Sequence, residues 1–148
     1  MKQIGVEIDK GHITSAIRAC WEAKGAAHNA AAYLFQLLLD LELQPDIAIF
    51  TCLVGAYRTA PVEKVVGAYK DMQSMNIKAD FAFAEIYLGT LLLKPKVQKF
   101  NQKEMTDWVR AVPAPRIAAA KAALKDFERE SLKLTSLSKA FAKALQQM

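Results

Sequence analysis

A short phrase that occurs three times constrains the fold of this chain more than any other feature. The copies are Met1–Asp9, Leu38–Asp46 and Met72–Asp80, and they begin 37 and 34 residues apart. Each copy has a large apolar residue, a Gly, Glu or Asn four positions later, an aliphatic residue next, and an Asp at its end. A period in the thirties is typical of helical repeats that stack into a solenoid and share one core. The repeated phrase therefore predicts an all-α fold.

Two helical patterns fill each complete period. In 10–46 they cover about 13–23 and 26–41, and Gly25 suits a position just past a helix end. In 47–80 they cover about 49–58 and 62–75, and Pro61 suits the first turn of a helix. The second period has apolar residues at helical spacing, namely Phe50, Leu53, Val54, Tyr57, Val65, Val66, Tyr69 and Met72. Each period is thus predicted to form two antiparallel helices joined by a tight turn.

The second period resembles a pentatricopeptide repeat. It opens with Phe50-Thr-Cys-Leu53-Val-Gly-Ala-Tyr57 and closes with Met72-x-x-x-Asn76-Ile-Lys-Ala-Asp80. Residues 10–46 look like a looser copy, and 1–9 and 81–93 look like parts of a preceding and a following repeat. The Trp-x-x-Leu-Gly-x-x-Tyr opening of the related tetratricopeptide repeat is absent. The resemblance implies a right-handed solenoid of antiparallel helix pairs over residues 1–93.

Repeats of this family commonly bind single-stranded RNA, one unstacked base per repeat. Specificity in the family rests on a polar residue early in the first helix and on the last residue of the repeat. The resemblance thus assigns Thr14 with Asp46 and Thr51 with Asp80 as RNA-binding residues, a combination that the family usually matches to a purine. Glu85 takes the first of these positions in the third unit, whose closing residue the sequence does not identify. Because Asp is a strong helix N-cap, capping alone is the alternative role of the two Asp residues.

Two features weaken the RNA interpretation. Gly11, Ala48 and Ala82 stand where the family usually places a bulky aliphatic residue against the base. The first 115 residues hold thirteen basic and twelve acidic side chains, although neutralisation of phosphates normally dominates affinity for nucleic acids.

Two functions follow from the resemblance. The first is a single-stranded RNA-binding module that acts within an organellar ribonucleoprotein or RNA-processing complex. The alternative is a non-catalytic scaffold subunit of a large organellar assembly, such as a ribosome or a membrane energy complex, with protein subunits as partners. The organelle, mitochondrion or plastid, is implied by the resemblance only.

Residues 94–148 are predicted to form a basic helical extension. Pro95 ends the preceding helix, and 102–112 can form a short helix in the place of the missing second helix of the third repeat. The stretch from Arg116 to about Gln147 has no Gly or Pro and is predicted to be one long helix, with seven basic and three acidic residues. Such a helix could cap the last repeat, dock on a partner protein or contact nucleic acid.

Nothing in the sequence argues for catalysis, a cofactor or a bound metal. Cys20 and Cys52 stand singly without a Cys-x-x-Cys pair, and His12 and His28 lack neighbours at ligand or triad spacing. No stretch reaches the ~18 apolar residues that span a bilayer. Residues 1–20 lack the Arg-rich, acid-poor composition of a transit peptide. Met1 falls where a repeat's second helix would end, so the chain either begins with half a turn or is a piece of a longer protein.

Overall fold

The computed structural model describes residues 8–23, 27–94 and 101–147. Within these ranges the chain is all-α, as expected, with a 3₁₀ turn at Tyr57–Thr59 and no strand. The α-helices are α1 Lys10–Glu22, α2 His28–Asp40, α3 Ile47–Ala56, α4 Val62–Ser74, α5 Phe81–Leu91, α6 Gln102–Arg110, α7 Ala114–Arg129 and α8 Ser136–Gln146. None of these helices is long and apolar enough to cross a membrane.

Three sequence predictions concern residues outside the described ranges. They are the partial repeat at 1–9 apart from Ile8 and Asp9, the turn at Gly25, and most of the basic run between 94 and 103. The helices predicted between 10 and 93 are observed with their ends shifted by a few residues at most.

The chain divides into two compact units, Met1–Ile77 and Lys78–Met148. In the first unit, α1 packs against α2 and α3, and α3 also packs against α4. Most apolar residues predicted for the second period are buried, as expected, whereas Val66 is half-buried. The buried ones are Phe50, Leu53, Val54, Tyr57, Val65, Tyr69 and Met72.

The first half of the repeated phrase closes a helix. Glu42, the residue after the α2 cap, adopts a left-handed conformation with φ of 58°. The next residue, Leu43, donates its N–H to the carbonyl of Leu38 at 3.1 Å, which is the hydrogen bond of a Schellman helix end. Asn76 has φ of 59° in the same arrangement after α4. In the two copies that the structure describes in full among the first three, Glu42 and Asn76 share this backbone conformation, which Asn adopts more easily than Glu.

The second half of the phrase starts the next helix. The carboxylates of Asp9, Asp46 and Asp80 accept the N–H of the third helical residue at 2.9, 2.9 and 2.8 Å. At α1 the cap is reciprocal, because Nδ1 of His12 accepts the N–H of Asp9 at 3.2 Å. An N-cap of this kind stabilises a helix by about 1 kcal/mol. Capping is thus one role of these Asp residues, as the alternative interpretation expected.

In the second unit, α5 packs against α7 and α8, α7 packs against α8, and α6 packs against α8. The sequence favoured α6 as the partner of α5, but α7 is the helix that packs there. The core of this unit holds Phe83, Tyr87, Leu88, Leu91, Met105, Val109, Phe127, Phe141 and Leu145.

The prediction of one long helix from Arg116 to Gln147 is wrong. The stretch forms α7 and α8, separated at 130–135. Ser131 takes a left-handed conformation with φ of 55°, and Leu132 donates its N–H to the carbonyl of Phe127 at 2.9 Å. Thr135 then caps α8, because its Oγ1 accepts the N–H of Ser138 at 3.2 Å. The break needs no Gly or Pro, which is why composition did not indicate it.

Residues 127–135 are a fourth copy of the repeated phrase. Phe127 is the large apolar residue, Ser131 follows four positions later, Leu132 is the aliphatic residue, and Thr135 replaces the final Asp. This copy begins 55 residues after Met72, so it lies outside the regular period.

Candidate nucleic-acid interface

Thr14 and Asp46 lie at one edge of the first unit. The Thr14 hydroxyl donates to the carbonyl of Lys10 at 2.7 Å, one turn earlier on α1. Nζ of Lys10 lies 3.1 Å from Oδ2 of Asp46, whose Oδ1 accepts the N–H of Ile49. Burial pushes the pKa of Asp46 up, but the backbone N–H donors and Lys10 outweigh burial, and this pKa is below its ordinary value. Both carboxylate oxygens of Asp46 are engaged, so a bound base would share them with Lys10 or displace it.

The other predicted pair is divided between the two units. Thr51 lies on α3 in the first unit and donates its hydroxyl to the carbonyl of Ile47 at 2.8 Å, as Thr14 does on α1. Asp80 begins α5 in the second unit, where one carboxylate oxygen accepts the N–H of Phe83. Its other oxygen has no hydrogen-bond partner in the described part of the chain. Asp80 therefore has more acceptor capacity left than Asp46, whose Oδ2 is paired with Lys10.

In the second unit, Glu85 contacts the last residue of the fourth copy of the phrase. Glu85 holds the position on α5 that Thr14 and Thr51 hold on α1 and α3. Its Oε1 accepts a hydrogen bond from Oγ1 of Thr135 at 2.7 Å. Thr135 is the last residue of the fourth phrase, the place that Asp46 takes in its own copy. The contact joins the two residues at the positions for which the resemblance predicts base reading, and the site is half-buried.

An exposed aromatic side chain stands beside this contact. Phe81 is the first residue of α5, and its side chain is 60% exposed. It precedes Glu85 by one helical turn, so the two share a face of the helix. An exposed ring next to a carboxylate and a hydroxyl can stack on an unpaired base while the polar groups meet the edge of that base.

Sequence reasoning missed Phe81 because it considered only Ala82 as the base-stacking position. The available signal was an aromatic residue directly after a capping Asp. The buried apolar face of α5 begins at Phe83, so the aromatic residue two positions earlier is left exposed.

The histidines and cysteines of the first unit have structural surroundings. Nζ of Lys64 on α4 lies 2.9 Å from Nδ1 of His28 and 5.0 Å from the ring centroid of Tyr57. Burial and the nearby Lys64 lower the pKa of His28. Cys52 is buried, which raises the pKa of its thiol, and Cys20 is half-buried. The contact between Lys64 and His28 connects the start of α4 to the start of α2.

The sequence matches no known protein-family model, and no curated protein matches it either.

Proposed function

We propose that this chain is a pentatricopeptide-like helical-repeat protein that binds single-stranded RNA. Helices α2, α4, α5 and α7 end in the Schellman form. At α2, α4 and α7 this end belongs to a copy of the phrase, and the last residue of that copy caps the helix that follows. On this interpretation the repeats are α1 with α2, α3 with α4, and α5 with α7. Helix α6 is then an insertion between the two helices of the third repeat, and α8 begins a fourth.

The observation that carries the proposal is the cluster of Phe81, Glu85 and Thr135 in the second unit. A base stacked on an aromatic ring gains roughly 1–3 kcal/mol. An ionised carboxylate is an acceptor only, and a hydroxyl can donate or accept. Such a pair favours a base whose edge presents N–H donors, of which guanine has the most on its Watson–Crick edge. The proposal is therefore a purine preference that arises mainly in the second unit.

The first unit contributes less to base recognition on this proposal. Lys10 forms an ion pair with Asp46, and each side chain is a little over two-fifths exposed, at 42% and 43%. A pair this exposed stabilises the protein by at most about 1 kcal/mol, so a base could displace Lys10, but at a cost. The family resemblance extends the proposal to an organellar ribonucleoprotein or RNA-processing complex.

Binding of short fluorescent single-stranded RNAs, followed by anisotropy, tests the proposal. Phe81→Ala should weaken binding of a purine-rich strand about 5- to 150-fold, because it removes roughly 1–3 kcal/mol of stacking. Tyr33→Ala is the matched control, since Tyr33 is an exposed aromatic on α2 with 70% of its surface accessible. Glu85→Gln should reduce the preference for purines, because an amide replaces one acceptor by a donor. Equal affinities for the Phe81 and Tyr33 variants would refute the assignment.

A scaffold subunit is the second candidate function. The closed Lys10–Asp46 pair and the exposed Tyr33 favour it, since both are compatible with a protein partner and neither requires RNA. Native size fractionation before and after ribonuclease treatment separates the two functions. A large particle that collapses with ribonuclease supports the RNA-binding proposal. A particle that ribonuclease leaves intact supports the scaffold.

A further inference from the structure

Helix α8 differs from the other helices that follow the repeated phrase. Counted from the capping residue, the fourth and eighth positions of α1, α3 and α5 carry buried apolar side chains. They are Ile13 and Ile17, Phe50 and Val54, and Ala84 and Leu88. At the same positions α8 carries Lys139 and Lys143, and both are exposed. The face that packs inward in the other three helices is thus a charged outer face in α8.

A second pair of lysines lies across a groove from this face. The groove has a volume of about 300 Å³, and Lys121, Lys125 and Glu128 of α7 line it together with Ala142 and Gln146 of α8, so its lining carries two positive charges and one negative charge. On α8, Lys139 and Lys143 lie one turn before the groove-lining Ala142 and Gln146, so they are placed beside the groove and not in its lining. The four lysines are not among the ion-paired residues of the described part of the chain, and the acidic residue beside them in the groove is Glu128 of α7.

The two leucines that line the groove offer little apolar surface to a partner. Leu124 is 9% exposed and Leu145 is 2% exposed. A docked amphipathic helix anchors itself by burying apolar side chains in a groove, and these two residues are already covered. The occupant that fits is therefore held by charge along its length. Lysines four positions apart on a helix are separated by ~6 Å along its axis, which suits a chain with regularly spaced anionic groups.

We propose that the α7–α8 lysine surface, formed by Lys121, Lys125, Lys139 and Lys143, binds the phosphate backbone of single-stranded RNA. The inference rests on the proposed function and deepens it. It supplies the positive charge that the first 115 residues, with thirteen bases and twelve acids, lack. It also assigns backbone binding and base recognition to different residues of the second unit.

The salt dependence of RNA binding tests this surface. Each phosphate neutralised on a single strand contributes ~0.7 to the slope of log affinity against log salt. The double variant Lys139→Gln/Lys143→Gln should therefore reduce the slope by about 1.4 and weaken binding on the order of 50-fold at low salt. The control is Lys70→Gln/Lys103→Gln, which removes two exposed lysines from α4 and α6 and gives the same net charge. The purine preference should be the same in both variants.

Three outcomes would overturn the inference. If the two double variants have the same slope while Phe81→Ala still weakens binding, the lysine surface is not the backbone site and the proposed function stands. If poly-glutamate of matched charge displaces the RNA and binds the protein more tightly than the RNA does, the surface fits an acidic protein better. If the unmodified protein binds no single-stranded RNA at low salt, both this inference and the proposed function fail.

Discussion

Two glycines inside helices of the first unit should respond to alanine in opposite directions. A Cβ on Gly55 of α3 would lie 2.5 Å from Cδ2 and Cε2 of the Trp21 ring, closer than such atoms can approach. A Cβ on Gly67 of α4 would have nothing within 4 Å. Gly55 is therefore the position at which the indole of α1 lies directly on the backbone of α3.

The magnitudes decide the sign at each position. Glycine in a helix interior costs about 0.8–1 kcal/mol relative to alanine, so Gly67→Ala should stabilise the first unit by up to about 1 kcal/mol. Gly55→Ala gains the same helix propensity but forces the Trp21 ring out of its place, and overpacking of a core costs roughly 1–3 kcal/mol. Gly55→Ala should thus range from neutral to about 2 kcal/mol destabilising. The two variants should differ by about 1–3 kcal/mol.

Urea unfolding monitored by tryptophan fluorescence measures this difference. Trp21 lies in the first unit and Trp108 in the second, so Trp108→Phe leaves a single reporter for the first unit. In a Trp21→Ala background, followed by circular dichroism, Gly55→Ala should become stabilising, because the obstructing ring is gone. Equal stabilisation by the two alanines in the presence of Trp21 would refute the packing argument.

Four further predictions concern one cap, the pH dependence of stability and one hydrogen bond. Asp46→Ala should cost about 1 kcal/mol in urea unfolding. The pKa of Asp46 is lowered from 3.8, so its ionised form stabilises the folded protein above that pH, and this stabilisation is lost as the pH falls further. In Asp46→Asn, which has no ionisable group at this position, stability should depend less on pH in this acidic range. Burial raises the pKa of Tyr57 to about 12 from 10.0, so stability should fall as pH rises above 10.0, and Tyr57→Phe should lessen that fall in alkaline unfolding curves. A double-mutant cycle of Glu85→Ala and Thr135→Val should give a coupling free energy of unfolding of about 1–2 kcal/mol. A coupling free energy of zero would mean that this hydrogen bond does not stabilise the protein in solution.

The sequence was a good guide to the first unit because its signals are local. The phrase at 38–46 joins a helix end to a helix start, and both halves depend on residues a few positions apart. Leu38 is buried, Glu42 turns the chain and Asp46 caps α3. Periodicity and capping chemistry encode such features directly, so the helix ends were placed within a few residues.

The second unit was harder to predict because its key contacts are distant in sequence. Thr135 meets Glu85 across 50 positions, with α6 and α7 between them. Ser131 turns the chain without being Gly or Asn, so the end of α7 resembles the inside of a helix in composition. Which helix packs on α5 depends on tertiary packing, and neither propensity nor period indicates it.

The proposed division of roles within the second unit, between base recognition and binding of the RNA backbone, argues for a protein that acts beside others. One base held by Phe81, Glu85 and Thr135 gains only a few kcal/mol, and a single base cannot select one RNA among many. Lysines on α7 and α8 would add affinity that falls with increasing salt concentration and does not depend on the RNA sequence. Strong but poorly selective contact with the backbone, combined with weak recognition of one base, is useful where a larger assembly already presents the RNA. Selectivity would then come from the assembly, and this chain would hold and check one nucleotide within it.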